Sequence, residues 1–257
     1  MADYDVIIIG GGTAGFSAGM YSSRLGMKTL LVERLIPGGQ IINVERIEDY
    51  PGLPDGISGA DFSSKVQEQA IVSGTEFAMS EVMGIRKSGH EWIVDTYEGE
   101  KISKSIIVAG GSTLKKLNVP GENELVGAGV SYCATCDGAF FIDQRVCVVG
   151  GGDSALQEAI TLTGFASKVD VFCRSSCLHA QQTLQDQITG HEKIQVHLNV
   201  EVQEIHGEGV VDGISLLKTL SGESTRVNLD GVFIFVGLTP STDYLRNLLE
   251  TDESGHI

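Results

Sequence analysis

A strand-turn-helix-strand unit with a glycine-rich turn occurs twice in this 257-residue chain. In the first copy the β-branched run Asp5–Ile9 enters Gly10–Gly15, and a helical pattern and a second short strand follow. In the second copy Arg145–Val149 enters Gly150–Ala155 with the same sequel. Parallel strands joined by right-handed helical crossovers build a doubly wound sheet. The duplication therefore predicts an α/β protein with two Rossmann-like, three-layer nucleotide-binding domains.

Each glycine-rich turn has the spacing of a dinucleotide-binding loop. Without Cβ atoms the backbone can approach a pyrophosphate, and the free N–H groups of the following helix can bind it. Glu33 ends the second strand of the first unit, where it can bind both ribose hydroxyls and would repel a 2′-phosphate. The first site therefore fits FAD or NAD. Arg174 stands at the matching point of the second unit; it permits NADPH without requiring it, and a solvated surface arginine is the alternative.

The tetrad Cys133–Cys136 places two thiols shortly before the second loop. Two such thiols can close a small disulfide ring, and they can exchange with the disulfide of a partner. The carboxyl group of Asp137, beside the second sulfur, can give a proton to a departing thiolate or take one from it. The sequence therefore indicates a redox-active dithiol with an adjacent acid and base.

Zinc binding is the alternative function for this tetrad, because Cys173, Cys177 and His179 could complete a four-ligand site. Cys173, however, ends an apolar run that predicts a buried strand, whereas zinc ligands usually lie in tight turns. Cys147 lies inside another apolar run and is interpreted as a core thiol. We therefore predict no metal site.

Charge and hydropathy exclude other classes of function. The net charge of -16 and the pI of about 4.7 argue against nucleic acid, which is bound by clustered Lys and Arg. No apolar stretch is long enough to cross a bilayer, and the chain opens directly into a strand, so we expect a cytoplasmic protein.

His191, His197 and His206 are irregularly spaced and are expected at the surface.

Taken together, these features resemble the low-molecular-weight thioredoxin reductases, a group of FAD-dependent pyridine nucleotide-disulfide oxidoreductases. The resemblance extends over nearly the whole chain, and its most specific part is C-A-T-C-D-G so close before G-G-G-D-S-A. The segments that carry it are residues 10–15, 37–40, 47–52, 119–122, 133–138, 150–155 and 230–240.

The resemblance implies a thioredoxin-disulfide reductase. Hydride would pass from a reduced nicotinamide to FAD, and electrons would then reach the Cys133–Cys136 disulfide. Cys136 would be the sulfur nearer the flavin, Cys133 would attack thioredoxin or a similar protein, and Asp137 would be the general acid and base. The resemblance also implies a homodimer and two alternating domain orientations, with hinges near 116–120 and 239–243.

The resemblance also implies two sets of cofactor-binding residues. Those for FAD are Gly10, Gly12, Thr13, Ala14, Gly15, Glu33, Arg34, Gly38, Gly39, Gln40, Asp49, Val82, Ala109, Gly110 and Gly111. Those for the nicotinamide nucleotide are Gly150, Gly152, Asp153, Ser154, Ala155 and Arg174. Asp49 stands where the family often has Asn, and Gly110 stands where Thr is usual.

The residues expected to hold a 2′-phosphate differ from the family pattern. Members that use NADPH carry a His-Arg-Arg triplet and a further Arg, whereas this chain has Cys173-Arg174-Ser175 and His179. Leu238 also replaces a usual His. The donor is therefore open between NADPH, NADH and a protein such as ferredoxin, and an inactive nucleotide-binding relative or a zinc-stabilised fragment is the non-enzymatic alternative.

The linker-like segment 115–122, which contains Pro120-Gly121, marks a predicted domain boundary. We predict an FAD-binding domain over residues 1–117, an inserted NAD(P)H-binding domain with the dithiol over 118–243, and a return to the first domain over 244–257. The family continues further, through a Gly-Asp motif, a strand and a terminal helix. The sequence is accordingly expected to be a fragment or a truncated form.

Overall fold

The computed structural model describes residues 2–245 and 248–257. This described chain divides into two compact units. Unit 1 comprises the residues up to Thr113 and those from Thr239 onward, and unit 2 comprises Leu114–Leu238. The predicted boundaries, after residues 117 and 243, fall a few residues later along the chain.

Unit 1 is built on a mixed sheet with helices beside it. Its elements are β1 (Tyr4–Ile9), α1 (Thr13–Arg24), β2 (Thr29–Glu33), α2 (Gly59–Val72), β3 (Glu76–Met79), β4 (Val82–Ser88), β5 (Glu91–Thr96) and β6 (Gly99–Val108). The six strands follow the order β3-β2-β1-β6-β5-β4. The first four in this order are parallel, and β6, β5 and β4 form an antiparallel meander.

Strand β1 forms the centre of unit 1 because both of its faces are apolar. Ile8 packs with Phe16 of α1 on one face, and Ile7 packs with Leu30 and Val94 on the other. A strand covered on both sides reads as a continuous apolar run, as this one does. The end of β1 therefore holds the first glycine-rich turn at a fixed edge of the sheet.

Unit 2 repeats the plan around a parallel sheet. Two short strands, β7 (Ser112–Leu114) and β16 (Leu238–Pro240), pair where the boundaries of the units fall. Between them lie β8 (Val130–Ser131), α3 (Ala134–Asp137), β9 (Arg145–Val149), α4 (Asp153–Leu162), β10 (Lys168–Cys173), α5 (Gln182–Ile188), β11 (Ile194–Leu198), β12 (Val200–His206), β13 (Gly213–Lys218), β14 (Ser224–Asn228) and β15 (Gly231–Ile234).

The parallel sheet of unit 2 has the order β11-β10-β9-β15-β8, and β12, β13 and β14 form a separate antiparallel sheet. Helices α4 and α5 cover one face of the parallel sheet, with Leu156 and Leu162 in that core. The antiparallel sheet covers the other face, with Ile214 and Val232 in a second core. This three-layer arrangement confirms the predicted α/β fold with two nucleotide-binding domains.

A buried carboxylate lies on β10. Asp170 Oδ2 accepts a hydrogen bond from Arg145 Nε at 2.7 Å, Asp170 Oδ1 lies 2.8 Å from His197 Nε2, and Lys168 Nζ lies 3.6 Å away. Burial alone would raise the pKa of Asp170, but hydrogen bonds from Arg145 and His197 and the charges of Arg145 and Lys168 lower it below its usual range. The carboxylate therefore stays charged inside the fold.

His197 and His206, which were expected at the surface, are partly exposed. The imidazole of His197 stacks on Phe172 at 4.9 Å between ring centroids and contacts Asp170, and Nε2 of His206 lies 2.7 Å from Ser215 Oγ. Their irregular spacing in the sequence did not indicate these contacts.

Replacing Asp170 by Asn should lower the free energy of unfolding by about 3 kcal/mol at pH 7, because it removes the counter-charge of a buried ion cluster. A carboxylate whose pKa is depressed by folding contributes stability above its unfolded pKa of about 4, and this is lost as pH falls through the lower folded-state pKa. The deficit of Asp170→Asn should therefore shrink under acid conditions in urea unfolding measured from pH 3 to pH 8.

Asp212→Asn is the matched control, because Asp212 makes an exposed 2.7 Å pair with Arg226. That variant should differ from the parent by less than about 0.5 kcal/mol at any pH. Equal stability of the two variants at pH 7 would contradict the assigned role of Asp170.

Candidate functional site

The two cysteines of the tetrad form a disulfide. Strand β8 ends at Ser131, and Cys133 caps the one-turn helix α3. The bond joins Cys133 to Cys136 across this turn, with their Cα atoms 5.3 Å apart. Cys136 is exposed and Cys133 is half-buried. The turn therefore presents a disulfide that an exchange partner can approach from solvent.

The zinc alternative lacks its ligands in this arrangement. The sulfurs of the tetrad are bonded to each other, and no three His, Cys, Asp or Glu side chains within residues 2–245 and 248–257 are grouped to hold a metal. Cys173 is buried, with its Sγ 3.8 Å from the carbonyl oxygen of Cys177. Cys147 is buried in β9, and burial raises the pKa of its thiol, as expected for a core residue.

Ser131 links the disulfide turn to Asp137. Its Oγ donates to Asp137 Oδ2 at 2.6 Å and accepts the N–H of Cys133 at 3.1 Å. Ser131 is buried, so this bridge is shielded from water. On the other side of the turn, the N–H of Ala134 donates to Glu158 Oε2 of α4 at 2.8 Å. Ser131 and Glu158 therefore hold Asp137 and the disulfide on one short segment. Neither residue was predicted from the sequence.

Glu122 fixes the residue before the dithiol to the linker-like segment. Its fully buried carboxylate accepts the N–H groups of Leu117 and Asn118 at 3.1 and 2.6 Å, and the hydroxyl of Tyr132 at 2.7 Å. Burial, together with the hydrogen bond and charge of Glu122, raises the pKa of Tyr132. The neutral hydroxyl of Tyr132 therefore remains a donor, and the strand that leads into Cys133 is held in place.

The second glycine-rich turn opens onto a cavity of about 960 Å³ whose lining residues all belong to unit 2. Gly150 has a φ of +145°, and a Cβ there would overlap the carbonyl oxygen of Phe235. No atom lies within 4 Å of the Cβ that Gly152 would carry, so the start of α4 is open to a ligand. Asp153, Ser154 and Ala155 begin this helix and line the cavity, as predicted for a pyrophosphate site.

Arg174 and an unpredicted acid, Glu201, face the same cavity. Arg174 Nη1 lies 3.9 Å from Glu201 Oε1, and Gln203 Nε2 donates to Glu201 Oε2 at 3.2 Å. The side chain of Arg174 is 78% exposed, so it is free to meet a ligand. Glu201 lies on β12, far along the chain from the end of β10. The residues directly after β10 therefore did not predict an acid at this position.

The first glycine-rich turn forms a cradle in unit 1. Gly10 has a φ of +106°, and a Cβ there would overlap the carbonyl oxygen of Ala109. Glu33 accepts the N–H groups of Gly11 at 2.6 Å and Leu35 at 2.9 Å. The N–H of Gly38 donates to the carbonyl oxygen of Gly11 at 2.7 Å. One edge of the sheet therefore brings together the ends of β1, β2 and β6 and the turn at Gly38.

Further predicted residues extend this cradle. Gln40 Nε2 donates to the carbonyl oxygen of Ser112 at 3.2 Å, which joins Gly38–Gln40 to the segment after Gly111. Thr13, Ala14 and Gly15 form the first turn of α1, whose N-cap is Gly12 and has no capping side chain. The backbone N–H groups at the start of α1 therefore have no side-chain acceptor at Gly12 and suit a pyrophosphate.

A second cavity, of about 490 Å³, lies next to Glu33 and is lined in part by Arg34, Glu81 and Tyr97. The hydroxyl of Ser80 at this cavity is buried and has no hydrogen-bond partner among the described residues. The Ser80 hydroxyl, which can both donate and accept a hydrogen bond, and Glu33 at the end of β2 fit the adenosine part of a dinucleotide. The residues of unit 1 therefore fit FAD.

Two predicted FAD residues, Val82 and Asp49, lie in other surroundings, whereas Gly110 lies beside Gly10 in the cradle. Val82 packs against the apolar cluster of β1 and β2, and Asp49 is exposed in a loop closed by pairing of Ile47 with Ile57. A Cβ on Gly110 would lie 2.9 Å from the hydroxyl of Tyr244, which is buried without a partner in the described chain. Gly110 therefore leaves space for a tyrosine.

Within the described chain, no helix combines the length and hydropathy needed to cross a membrane.

The chain is similar to known proteins over nearly its whole length. A profile of the family described as pyridine nucleotide-disulphide oxidoreductase matches residues 4–257. Thioredoxin reductase of Bacillus subtilis (strain 168) is 44% identical over 99% of this chain and 80% of its own length, and that of Listeria monocytogenes is 46% identical with the same coverage. The crystal structure of Lactococcus lactis thioredoxin reductase superposes with a TM-score of 0.95 at 43% identity, over 98% of this chain and 84% of that one.

Replacing Ser131 by Ala should slow reaction of the reduced dithiol with a small aliphatic disulfide roughly tenfold near neutral pH, because Asp137 loses its anchor and the departing thiolate needs a proton. Stopped-flow measurement of the rate from pH 5 to pH 9 gives the profile that checks this effect.

Ser103→Ala is the matched control, because Ser103 is equally buried and bonds only the carbonyl oxygen of Ser105. Ser131→Thr should restore the profile by keeping the hydroxyl. If Ser131→Ala and Ser103→Ala gave the same profile, Ser131 would be a packing residue only.

Proposed function

The chain belongs to the pyridine nucleotide-disulphide oxidoreductases and, within them, to the low-molecular-weight thioredoxin reductases, and we propose that it reduces the disulfide of thioredoxin or a similar protein. The observation that carries this proposal is the Cys133–Cys136 disulfide, held beside Asp137 next to a nucleotide loop. A disulfide in this position can serve as the electron outlet of the protein.

The reaction transfers two electrons, which leave the nicotinamide as one hydride. A reduced nicotinamide nucleotide and a proton are consumed, the disulfide of the partner protein is broken, and two partner thiols are formed. FAD, held by the cradle of unit 1, would supply the redox chemistry that links hydride transfer to reduction of the Cys133–Cys136 disulfide. The residues of the chain bind both nucleotides, hold the dithiol and manage its protons.

In the first nucleotide site, the proposed roles follow the shape of the cradle. The N–H groups of Gly12, Thr13 and Ala14 would bind the pyrophosphate, and Glu33 would bind the ribose hydroxyls. Gly38–Gln40 and Ala109–Gly111 would lie along the rest of FAD. The uncapped start of α1 at Gly12 and the orphaned hydroxyl of Ser80 support this arrangement.

In the dithiol, we assign separate roles to the two sulfurs. The Cys133 thiolate attacks the disulfide of the partner, which forms a mixed disulfide and releases one partner thiolate. Cys136 then attacks Cys133 Sγ, which restores the ring and releases the second thiolate. Asp137 supplies protons to the departing thiolates. Its hydrogen bond to Ser131 keeps the carboxyl group on the turn during both steps.

The surface beside the turn suits a protein partner. Phe140 follows α3 and is 77% exposed, and Ile142 is also exposed. Large exposed apolar side chains next to a reactive group commonly mark a docking area. This supports a protein rather than a small disulfide as the substrate.

The second nucleotide site supports a nicotinamide nucleotide as the donor, because the cavity combines an open loop with a free helix start. Ferredoxin is the alternative donor, and reduction of the bound flavin by NADH, NADPH or reduced ferredoxin in separate anaerobic mixes distinguishes them. Assembly as a homodimer and residence in the cytoplasm belong to the same proposal and rest on the family.

Single cysteine variants test the proposed roles. Cys136→Ser should form a lasting mixed disulfide between Cys133 and thioredoxin, because the resolving sulfur is absent, whereas Cys133→Ser should form none. Both variants should lose thioredoxin reduction by at least about a thousandfold, since neither can complete the exchange cycle. Mass spectrometry under non-reducing conditions detects the trapped complex.

The exposed Cys177 provides the matched control, and Cys177→Ser should keep full activity. A complex trapped by Cys133→Ser and not by Cys136→Ser would exchange the two roles. Undiminished activity of both single variants would reject the proposed function itself.

A further inference from the structure

We propose that the nucleotide site of unit 2 selects a dinucleotide with a free 2′-hydroxyl, of the NADH class, and that Glu201 determines this selectivity. The inference rests on the proposed function, because it names the class of donor for the same site. Its evidence lies in the charges of the cavity and is separate from the dithiol.

The position of Glu201 relative to the sheet places it at the adenosine end of the site. In a doubly wound sheet, the ribose of a dinucleotide lies beside the carboxyl end of the second strand of the unit. That strand is β10, which ends at Cys173 and is followed by Arg174. Glu201 Oε1 lies 3.9 Å from Arg174 Nη1, and both residues line the cavity.

The pairing places a carboxylate beside the group that would have to bind a 2′-phosphate. A phosphate on Arg174 would come close to the carboxylate of Glu201, and like charges brought together discriminate against a ligand. A 2′-hydroxyl has the opposite effect, because it can donate a hydrogen bond to the same carboxylate. Gln203 holds the second oxygen of Glu201 at 3.2 Å, so the carboxylate is oriented before a ligand arrives.

The remaining cations of the cavity lie on its other side. The N–H of Lys115 donates to the carbonyl oxygen of Gly237, after β15, and β9 separates β15 from β10 in the sheet. This is a displacement of two strands, about 10 Å. Lys116 follows Lys115, and its Nζ donates to Asn123 at 2.6 Å. The backbone of Lys115 and the ammonium group of Lys116 thus lie away from the strand end that carries Arg174.

The loop after Arg174 is held to the glycine-rich turn and to α4 by main-chain hydrogen bonds. The N–H of His179 donates to the carbonyl oxygen of Gly151 at 2.8 Å, and the N–H of Gln181 donates to Asp153 Oδ1 at 2.6 Å. Asp153 is the other anion of the cavity, and this bond keeps its carboxylate at the start of α4. The remaining titratable groups of the lining are His179 and the buried thiol of Cys173.

Equilibrium binding of NAD⁺ and NADP⁺ to the FAD-loaded protein tests the inference without turnover, because these probes differ only in the 2′-phosphate. Calorimetry should show NAD⁺ bound at least tenfold more tightly than NADP⁺ by the parent protein. Glu201→Gln should reduce this ratio at least fivefold, chiefly by tightening NADP⁺. The double variant Arg174→Ala with Glu201→Gln should lose that gain, since the gain depends on the released guanidinium.

Glu204→Gln is the matched control, because Glu204 lies on the same strand and does not line the cavity. Its affinity ratio should equal that of the parent. The inference is overturned if the parent binds NADP⁺ as tightly as NAD⁺, if neither nucleotide binds, or if Glu201→Gln and Glu204→Gln give the same ratio.

Anaerobic flavin reduction separates this inference from the proposed function. Selective NAD⁺ binding without flavin reduction by NADH would leave the selectivity of Glu201 in place and reject the nicotinamide donor. Flavin reduction by either nucleotide without selectivity would keep the proposed function and reject Glu201 as its determinant.

Discussion

The close approach of neighbouring strand ends is the constraint on which both nucleotide sites depend. In unit 1 the turn at Gly10 lies against the carbonyl oxygen of Ala109, and in unit 2 the turn at Gly150 lies against that of Phe235. A methyl group at either glycine would overlap that oxygen, so any other residue would push the two strands apart. This contact occurs once in each unit and holds the start of the following helix at the edge of the sheet. In unit 2, Gly150 and Phe235 also line the cavity of about 960 Å³.

Carboxylates that accept main-chain N–H groups form the second level of organisation in this acidic chain. Glu33 binds the N–H of Gly11, Glu122 binds two N–H groups of the linker-like segment, and Glu158 binds that of Ala134. Such charge-assisted bonds are stronger than bonds between neutral groups and orient their acceptors. The negative charge of the chain is therefore used in part to fix turns at the sites.

Local features of the sequence were sufficient for the fold. Strand β9 has the predicted bounds, 145–149, because a β-branched run followed by glycines has few alternatives. Contacts between residues that are distant along the chain could not be predicted from the sequence. Glu201 reaches Arg174 from another sheet, and Ser131 reads as an ordinary strand residue until the turn brings Asp137 back to it. The contact of His197 with Asp170 was missed for the same reason, since Asp170 lies within an apolar run.

The division of the chain has a consequence for its synthesis on the ribosome. Unit 2 is one uninterrupted stretch, Leu114–Leu238, whereas unit 1 resumes only at Thr239. All six strands of the large sheet of unit 1 precede unit 2, whereas the segment with Tyr244, which packs against the cluster of Ile7 and Ile9, is translated after it. The nascent chain would thus carry an uncovered apolar surface on unit 1 throughout translation of unit 2, which is when a chaperone would have most to protect.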